Sequence, residues 1–518
     1  MRRLLALLVL ILPLGLALPA YADDAPAAKT ADAPAAAAPS DSEAKPKEDS
    51  AVSHHSLSVG GSTIKYTATA GTLLIRNDKD EPTASMFYVA YTQDGADLGH
   101  RPVTFLYNGG PGSATIWLHM GSVGPKRVVT SDAQSTPAAP YQLIDNQYSL
   151  LDKTDLVFID AIGTGYSHAV GKSKDKDFWG VDQDGKAFSQ FIQRYLSKNN
   201  RWNSPKYLMG ESYGTTRSAL LSNILTDDGV ALNGVILVSS ILDFATESFN
   251  VGNDLPFITN LPSYAAIAYY HGKLNPKPAG FKAFIQQVRD FAFGEYADAL
   301  MKGDKLDAAT RADVLKKLSQ YSGLSETYLT ETRLRINCFR FMKELTRDEG
   351  HTVGRLDARY TGIDLDNAGE TPEFDPANSY ISGPYSAAFH SYMADQLQYT
   401  PDRIYKLSAD GAGREWDWKH KNGFNPWWPG SLDVAEDLRQ AMSQNPRLKV
   451  FVANGWYDLA TPFGASEYTF DHLGLDPTLR ANVQFGYYES GHMIYLHVPA
   501  LQAMKADLAK FYDATATR

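Results

Sequence analysis

"LMGESYGTTRSALL", residues Leu208–Leu221, contains a G-x-S-x-G pentapeptide with Ser212 between Gly210 and Gly214. At Gly and Ser usage of about 7% each, that pattern arises by chance in roughly one chain of this length in five. The pentapeptide alone is therefore as compatible with a Gly-rich turn as with a nucleophile, and its surroundings decide the reading. Lys206–Met209 before it is a short apolar run of strand type; Thr216–Leu225 after it is a longer amphipathic stretch of helix type. Strand, sharp turn and helix are the setting that exposes a serine hydroxyl at the edge of an α/β sheet, where glycines relieve crowding.

Working outward, similar runs recur. "VTFLYNGG" (Val103–Gly110), "DLVFIDAIGTGYS" (Asp155–Ser167) and "GVILVSS" (Gly234–Ser240) are short apolar segments ending in Gly, Asn, Asp or Ser, and stretches such as Ala187–Leu196 separate some of them. They read as buried parallel strands with crossover helices. Ahead of them, residues 74–104 alternate β-rich runs with Asp, Gly and Asn turns, as an antiparallel meander does. From about Phe244 to Asn445 helical stretches dominate, among them Ala308–Leu318, Tyr328–Arg347 and Tyr385–Gln396, with an aromatic cluster at Trp416, Trp418, Trp427 and Trp428. Strand-like runs return at Leu448–Gly455 and Asn482–Tyr488, and a last helix is expected over about Pro499–Ala514. The order predicts a mostly parallel α/β sheet with a largely helical cap inserted at about 245–445.

A serine hydroxyl is inert at neutral pH unless a base takes its proton and an acid fixes the base's tautomer. In an open α/β sheet such groups belong immediately after strands. "NGWYDLATP" follows the Leu448 strand and supplies Asp458; "ESGHMIY" follows the Asn482 strand and supplies His492. Asp433, Asp471 and His497 are poorer placed, lacking a strand just before them or falling in an apolar stretch. The chain order Ser212, Asp458, His492 is that of the α/β-hydrolase fold. "NGGPGS", Asn108–Ser113, follows a further strand and sets side-chain-free amides at the same edge, suited with the amide of Tyr213 to hold an oxyanion.

The ends point to export. Arg2 and Arg3 precede an apolar run, Leu4–Leu18, and Ala20-Tyr21-Ala22 supplies small residues before Asp23. This is the layout of a secretory signal cleaved after Ala22, and the run is short for the ~20 residues of a membrane span. Residues 23–55, rich in Ala, Pro, Lys and acid, are expected to be a disordered linker, leaving 56–518 as the folded domain. One cysteine, Cys338, allows no intramolecular disulfide, as is usual for a large periplasmic bacterial protein. A net charge of −10 offers no basic stripe for nucleic acid. No metal-ligand spacing or phosphate loop implies a metal or cofactor.

Five motifs together resemble the serine carboxypeptidase family of α/β-hydrolases: NGGPG (Asn108–Gly112), GTGYS (Gly163–Ser167), GESYG (Gly210–Gly214), NGWYDLATP (Asn454–Pro462) and SGHM (Ser490–Met493). The resemblance covers the sheet segments, about half the chain, and is weak in the cap. It implies Ser212 as nucleophile, His492 as base, Asp458 as its orienter, and the amides of Gly110 and Tyr213 as oxyanion hole. It further implies that Asn108, Gly109 and a protonated Glu211 bind the substrate's terminal carboxylate, and that Met493 lines the pocket of the leaving residue. A second glutamate usual in the family is replaced here by Ser122, and the Cys that usually follows NGGPG by Ser113. Without its carboxyl partner Glu211 loses one source of a raised pKa, so either an optimum less acidic than about pH 4 to 5 or a weaker demand for a free C-terminus is expected.

The resulting expectation is a periplasmic or secreted carboxypeptidase acting on peptides with a free C-terminus through an acyl-enzyme. No nucleic-acid partner and no lasting membrane span are expected. An esterase or acyltransferase on the same triad is the alternative, for which Ser122 leaves room although Glu211 favours the carboxypeptidase; a non-catalytic envelope binding protein is the third. Pocket preference, oligomeric state and the role of the cap are not legible.

Overall fold

The computed structural model describes residues 46–421 and 430–516. The expected signal, most of the expected linker, and Trp427 and Trp428 lie outside the described residues. Ten strands form the main sheet. Nine run in the spatial order Ser50–Val59, Ser62–Arg76, Pro82–Gln93, Asp155–Ile159, Val103–Tyr107, Lys206–Ser212, Gly234–Ser240, Lys449–Gly455, Val483–Tyr488, and the two-residue strand His168–Ala169 pairs with Pro82–Gln93. The first three are antiparallel to their neighbours, and the six from Asp155–Ile159 onward are mutually parallel.

The antiparallel opening is longer than the sequence suggested. Its first strand starts at Ser50, so the last residues assigned to the linker, Ser50–His55, pair with Tyr66–Gly71 of the next strand. In SAVSHHSLSV small and polar residues alternate with Val and Leu, and only the end of that alternation, Leu57 and Val59, is fully buried. A half-exposed edge strand of that composition is easily mistaken for low complexity.

The parallel strands are buried on both faces, which is why they read as unbroken apolar runs. On one face Leu106, Met209 and Ile236 join Leu501, Met504 and Leu508 of the last helix, Val498–Ala516. On the other, Phe105, Leu208, Val235 and Val450 pack with Phe188 and Phe191 of helix Val181–Lys198 and with Leu221 and Leu225 of helix Tyr213–Asp227. Six fully buried positions precede Ser212 on its strand, and at about 25 cal/mol per Å2 of apolar surface such burial anchors the turn that follows.

Between Phe244 and Gln444 the described chain is mostly helical, with a third hydrophobic cluster in which Leu261, Phe341 and Val353 meet Trp456, Tyr457 and Leu459. The single helix expected over Tyr328–Arg347 is two short ones, Glu326–Glu331 and Cys338–Glu344. Arg333 and Leu334 between them adopt positive φ, a local geometry that hydrophobic periodicity does not reveal. The helix expected at Tyr385 begins earlier, at Pro376.

From Val103–Tyr107 the chain crosses to Asp155–Ile159 on one side and then returns to Lys206–Ser212 on the other. The carboxyl ends of strands diverge at such a switch point and leave a crevice. Both NGGPG and GESYG open into it.

Candidate active site

Ser212 ends its strand with φ 61° and ψ −130°, a conformation rare for a residue with a side chain. It costs on the order of 1–3 kcal/mol and persists where the surroundings impose it. They do so by close approach: a Cβ at Gly210 would overlap the Gly214 carbonyl, and one at Gly214 would lie 2.8 Å from the Tyr107 carbonyl oxygen. The turn feeds directly into helix Tyr213–Asp227, so the Tyr213 amide is in the first turn, where N–H groups have no intrahelical acceptor.

The Lys449–Gly455 strand delivers Asp458, which is fully buried. Its Oδ1 accepts from the amides of Ala460 (2.7 Å) and Thr461 (3.0 Å); its Oδ2 accepts from the Thr461 hydroxyl (2.8 Å) and from His492 Nδ1–H (2.9 Å). With its Nδ1 proton engaged, the neutral imidazole presents its Nε2 lone pair as a base. Burial works to lower the His492 pKa, but the adjoining Asp458 carboxylate and its hydrogen bond outweigh it, and the value stands above the ordinary one.

Two buttresses fix the histidine. A bulge in the Gly234–Ser240 strand gives Ser239 a positive φ, and its hydroxyl donates to the His492 carbonyl at 2.7 Å, while Ser240 next to it is in register with Ser212. From the helical region, Arg355 and Leu356 lend their carbonyls to the amides of Leu459 and His492. Ser212 and His492 are thus tied to neighbouring residues of one strand, although among the described residues no hydrogen bond joins Ser212 Oγ to the imidazole. Such contacts commonly tighten only when substrate is bound.

The NGGPG turn lies against the serine. A Cβ at Gly109 would overlap the amides of Tyr213 and Gly214, so glycine there keeps the Tyr213 N–H uncovered, and the neighbouring Gly110 is exposed. One position past the registered pair Tyr107–Gly210, Asn108 Nδ2 donates to Glu211 Oε1 at 2.7 Å. Asn108 has no freedom to turn away: its Oδ1 accepts from Leu118 N at 2.9 Å, and its carbonyl from Arg217 Nη1 at 2.7 Å. Arg217 is itself fixed by a buried ion pair, Nε to Asp184 Oδ2 at 2.6 Å. One Nδ2–H of Asn108 remains for a ligand. Burial pushes the Glu211 carboxyl up to about 7, against the opposing influence of His492, the Tyr495 hydroxyl and Asn108.

The structure therefore gathers Ser212, Asp458, His492, Gly109, Gly110, Tyr213, Asn108 and Glu211 at one sheet edge. Met493 is buried in the hydrophobic cluster that includes Tyr385 and Tyr495. Ser122 is buried, its hydroxyl donating to the Leu118 carbonyl at 2.6 Å. The sequence reading missed Thr461, although it lies within the NGWYDLATP motif, and Arg217, five residues beyond the serine. It also missed Arg355 and Leu356, which carry no local signal. Trp416 and Trp418 of the aromatic cluster pack edge-on against Tyr213, with ring centroids 5.3 and 6.1 Å away.

A parallel sheet with this switch point, a serine elbow and acid and histidine loops after the last two strands is an α/β-hydrolase. The family description "serine carboxypeptidase" matches residues 63–491, and the chain belongs to that family. It is similar to the pheromone-processing carboxypeptidase KEX1 of Cryptococcus gattii, 23% identical over 42% of this chain and 29% of that one. It is likewise similar to the serine carboxypeptidase ctsa-3.2 of Caenorhabditis elegans, 25% identical over 29% of this chain and 28% of that one. Each match takes in under a third of the relative's length. Among solved structures, the proline iminopeptidase of Mycobacterium smegmatis covers 86% of this chain and 98% of its own at 13% identity and a TM-score of 0.37, too distant to bear on the assignment.

Proposed function

We propose that this chain is an exported serine carboxypeptidase that removes C-terminal residues from peptides through an acyl-enzyme. His492 takes the Ser212 proton as Oγ attacks the carbonyl carbon of the last peptide bond. The oxyanion receives hydrogen bonds from the Gly110 and Tyr213 amides. Collapse breaks the C–N bond, His492 protonates the departing amine, and the terminal residue leaves. Water, deprotonated by His492, then attacks the Ser212 ester and releases the shortened peptide.

The observation that carries this reading is the Asn108–Glu211 pair beside the serine. A triad alone suits any acyl transfer, but an amide donor paired with a buried carboxyl near neutrality of pKa suits a substrate carboxylate, since a protonated Glu211 donates where an ionised one repels. The experiment compares an N-blocked dipeptide with its C-terminal amide and a simple ester across pH 4 to 8, with Ser212→Ala as control. Preference for the free acid, lost in the variant, supports the carboxypeptidase; cleavage of the ester alone assigns an esterase or acyltransferase, the reading for which Ser122, its hydroxyl spent on the Leu118 carbonyl, leaves room. Export is tested by sequencing the mature N-terminus from an envelope fraction: Asp23 is the expected first residue, and Met1 overturns the proposal.

A further inference from the structure

Around Glu211, donors and acceptors do not add up. Its Oε1 is bonded to Asn108, but its Oε2 is buried and has no hydrogen-bond partner among the described residues, and the Tyr495 hydroxyl is in the same state. Both residues are about 2% exposed. The hydroxyl adjoins both Glu211 and Asn108 closely enough that its hydrogen-bonding influence lowers the Glu211 pKa, without reaching the full geometry of a hydrogen bond to either. Polar groups buried with incomplete pairing are unfavourable. Native proteins keep few such groups and each asks for an explanation; beside a nucleophile, a bound substrate group is one that would complete the pairing.

Tyr495 reaches this spot because of what is missing opposite. Its ring packs directly on Gly121, at the end of helix Ile116–Gly121, where a Cβ would meet two of its ring carbons at 2.5 Å. The next residue, Ser122, stands where the family resemblance places a second carboxyl, and its hydroxyl is spent on the Leu118 carbonyl. The position that would supply a second acid supplies nothing, and a tyrosine three residues after His492 occupies the adjoining space.

We infer that the Tyr495 hydroxyl is a ligand-binding donor that, together with Asn108 Nδ2 and Glu211, holds the terminal carboxylate of the peptide and sets the preference for a free C-terminus. This rests on the carboxypeptidase reading above. Burial keeps the phenol protonated well above its ordinary range, so Tyr495 still donates after Glu211 ionises. A two-carboxyl site loses its donors as pH rises; this one keeps one.

The test is Tyr495→Phe, assayed on the N-blocked dipeptide, its C-terminal amide and the simple ester. Losing one hydrogen bond to a charged group predicts a fall of about 10- to 100-fold in kcat/KM for the free acid. KM carries the fall, which steepens above pH 7, and rates on the amide and ester are unchanged. Inhibition of ester hydrolysis by an N-blocked amino acid, a free carboxylate of the product class, weakens by the same factor. An equal fall on all three substrates makes Tyr495 structural and overturns the inference, as does no change on the acid. If the wild-type chain itself shows no preference for acid over amide, the carboxypeptidase reading fails and this inference with it; a preference intact in Tyr495→Phe sinks this inference alone. Should Phe fail to fold, Tyr495→Met fills the space with a flexible side chain lacking a donor and gives the same comparison.

Discussion

Two carboxyl groups lie at the same rim of the sheet and equally far from solvent, Asp458 at 0% and Glu211 at 2% exposure, yet their surroundings differ in kind. Asp458 accepts from two amides, a hydroxyl and an imidazole; Glu211 accepts from one amide group and leaves an oxygen unpaired. The cause is local. Asp458 sits in a turn that carries its own donors, two and three residues on, whereas Glu211 lies one residue before the end of a strand whose backbone is spent on its neighbours, so its donors must come from side chains elsewhere in the chain, Asn108 and Tyr495. Burial alone does not decide what a buried acid does; the supply of donors does. In the proposed function one carboxyl orients a base, and the other exchanges a proton with the solution near neutral pH.

The widest break in this comparison is Ser212→Ala, since both acids are read as serving one nucleophile. Hydrolysis of peptide and ester is expected to fall on the order of 10^5–10^6-fold, with covalent labelling by a fluorophosphonate abolished and the melting temperature nearly unchanged. Residual turnover close to wild type would detach both acids from catalysis. Asp458→Asn comes next, at about 10^4-fold in kcat from loss of the correct tautomer. It also removes the charge that raises the His492 pKa. The base works only when neutral, so the acid limb of the rate profile should move to lower pH in the variant. Gly109→Ala, which overlaps the Tyr213 amide, should cost about 10^2–10^3-fold in kcat, the worth of one oxyanion donor.

Glu211→Gln sharpens the contrast by titration. The folded carboxyl titrates at about 7 against an ordinary 4.5. Its folded value is raised, so wild type is most stable below about 4.5 and loses stability as pH rises through about 7. Gln does not ionise. Melting temperatures of the two chains should therefore converge at pH 4 and separate in favour of the variant at pH 8. In the same window KM for a free-acid substrate should climb, about tenfold, in wild type only. Parallel curves would mean that Glu211 does not titrate where its burial places it.

The sequence carried most of one side of this comparison and half of the other. Strand-end residues were legible because parallel strands buried on both faces are apolar runs with abrupt ends, and Asp458 and His492 follow such ends directly. Asn108 and Glu211 were named by resemblance, but that their side chains bond to each other depends on the register Tyr107–Gly210, which pattern alone does not give. Tyr495 escaped notice because the role proposed for it rests on a bare Gly121 and a Ser122 hydroxyl spent on Leu118, both far away in the chain. The helical region was the least legible, since breaks such as Arg333–Leu334 are set by packing rather than composition, and the carbonyls of Arg355 and Leu356 act without regard to their side chains.

The smallest change addresses the donor supply itself. Thr461 gives Asp458 two of its four hydrogen bonds, one from the amide and one from the hydroxyl, and its Oγ1 also lies 3.1 Å from His492 Nδ1. Thr461→Val keeps the amide and the shape and removes only the hydroxyl. If donor number is what separates Asp458 from Glu211, losing one of four should weaken the carboxylate's hold without releasing it, at about 1 kcal/mol or roughly fivefold in kcat, with KM unchanged. A loss as large as that of Asp458→Asn would show that the hydroxyl, rather than the acid's full set of partners, fixes the imidazole. No loss at all would show that the amides of Ala460 and Thr461 suffice, which would move the essential difference between the two acids from side chains to the backbone turn that only one of them has.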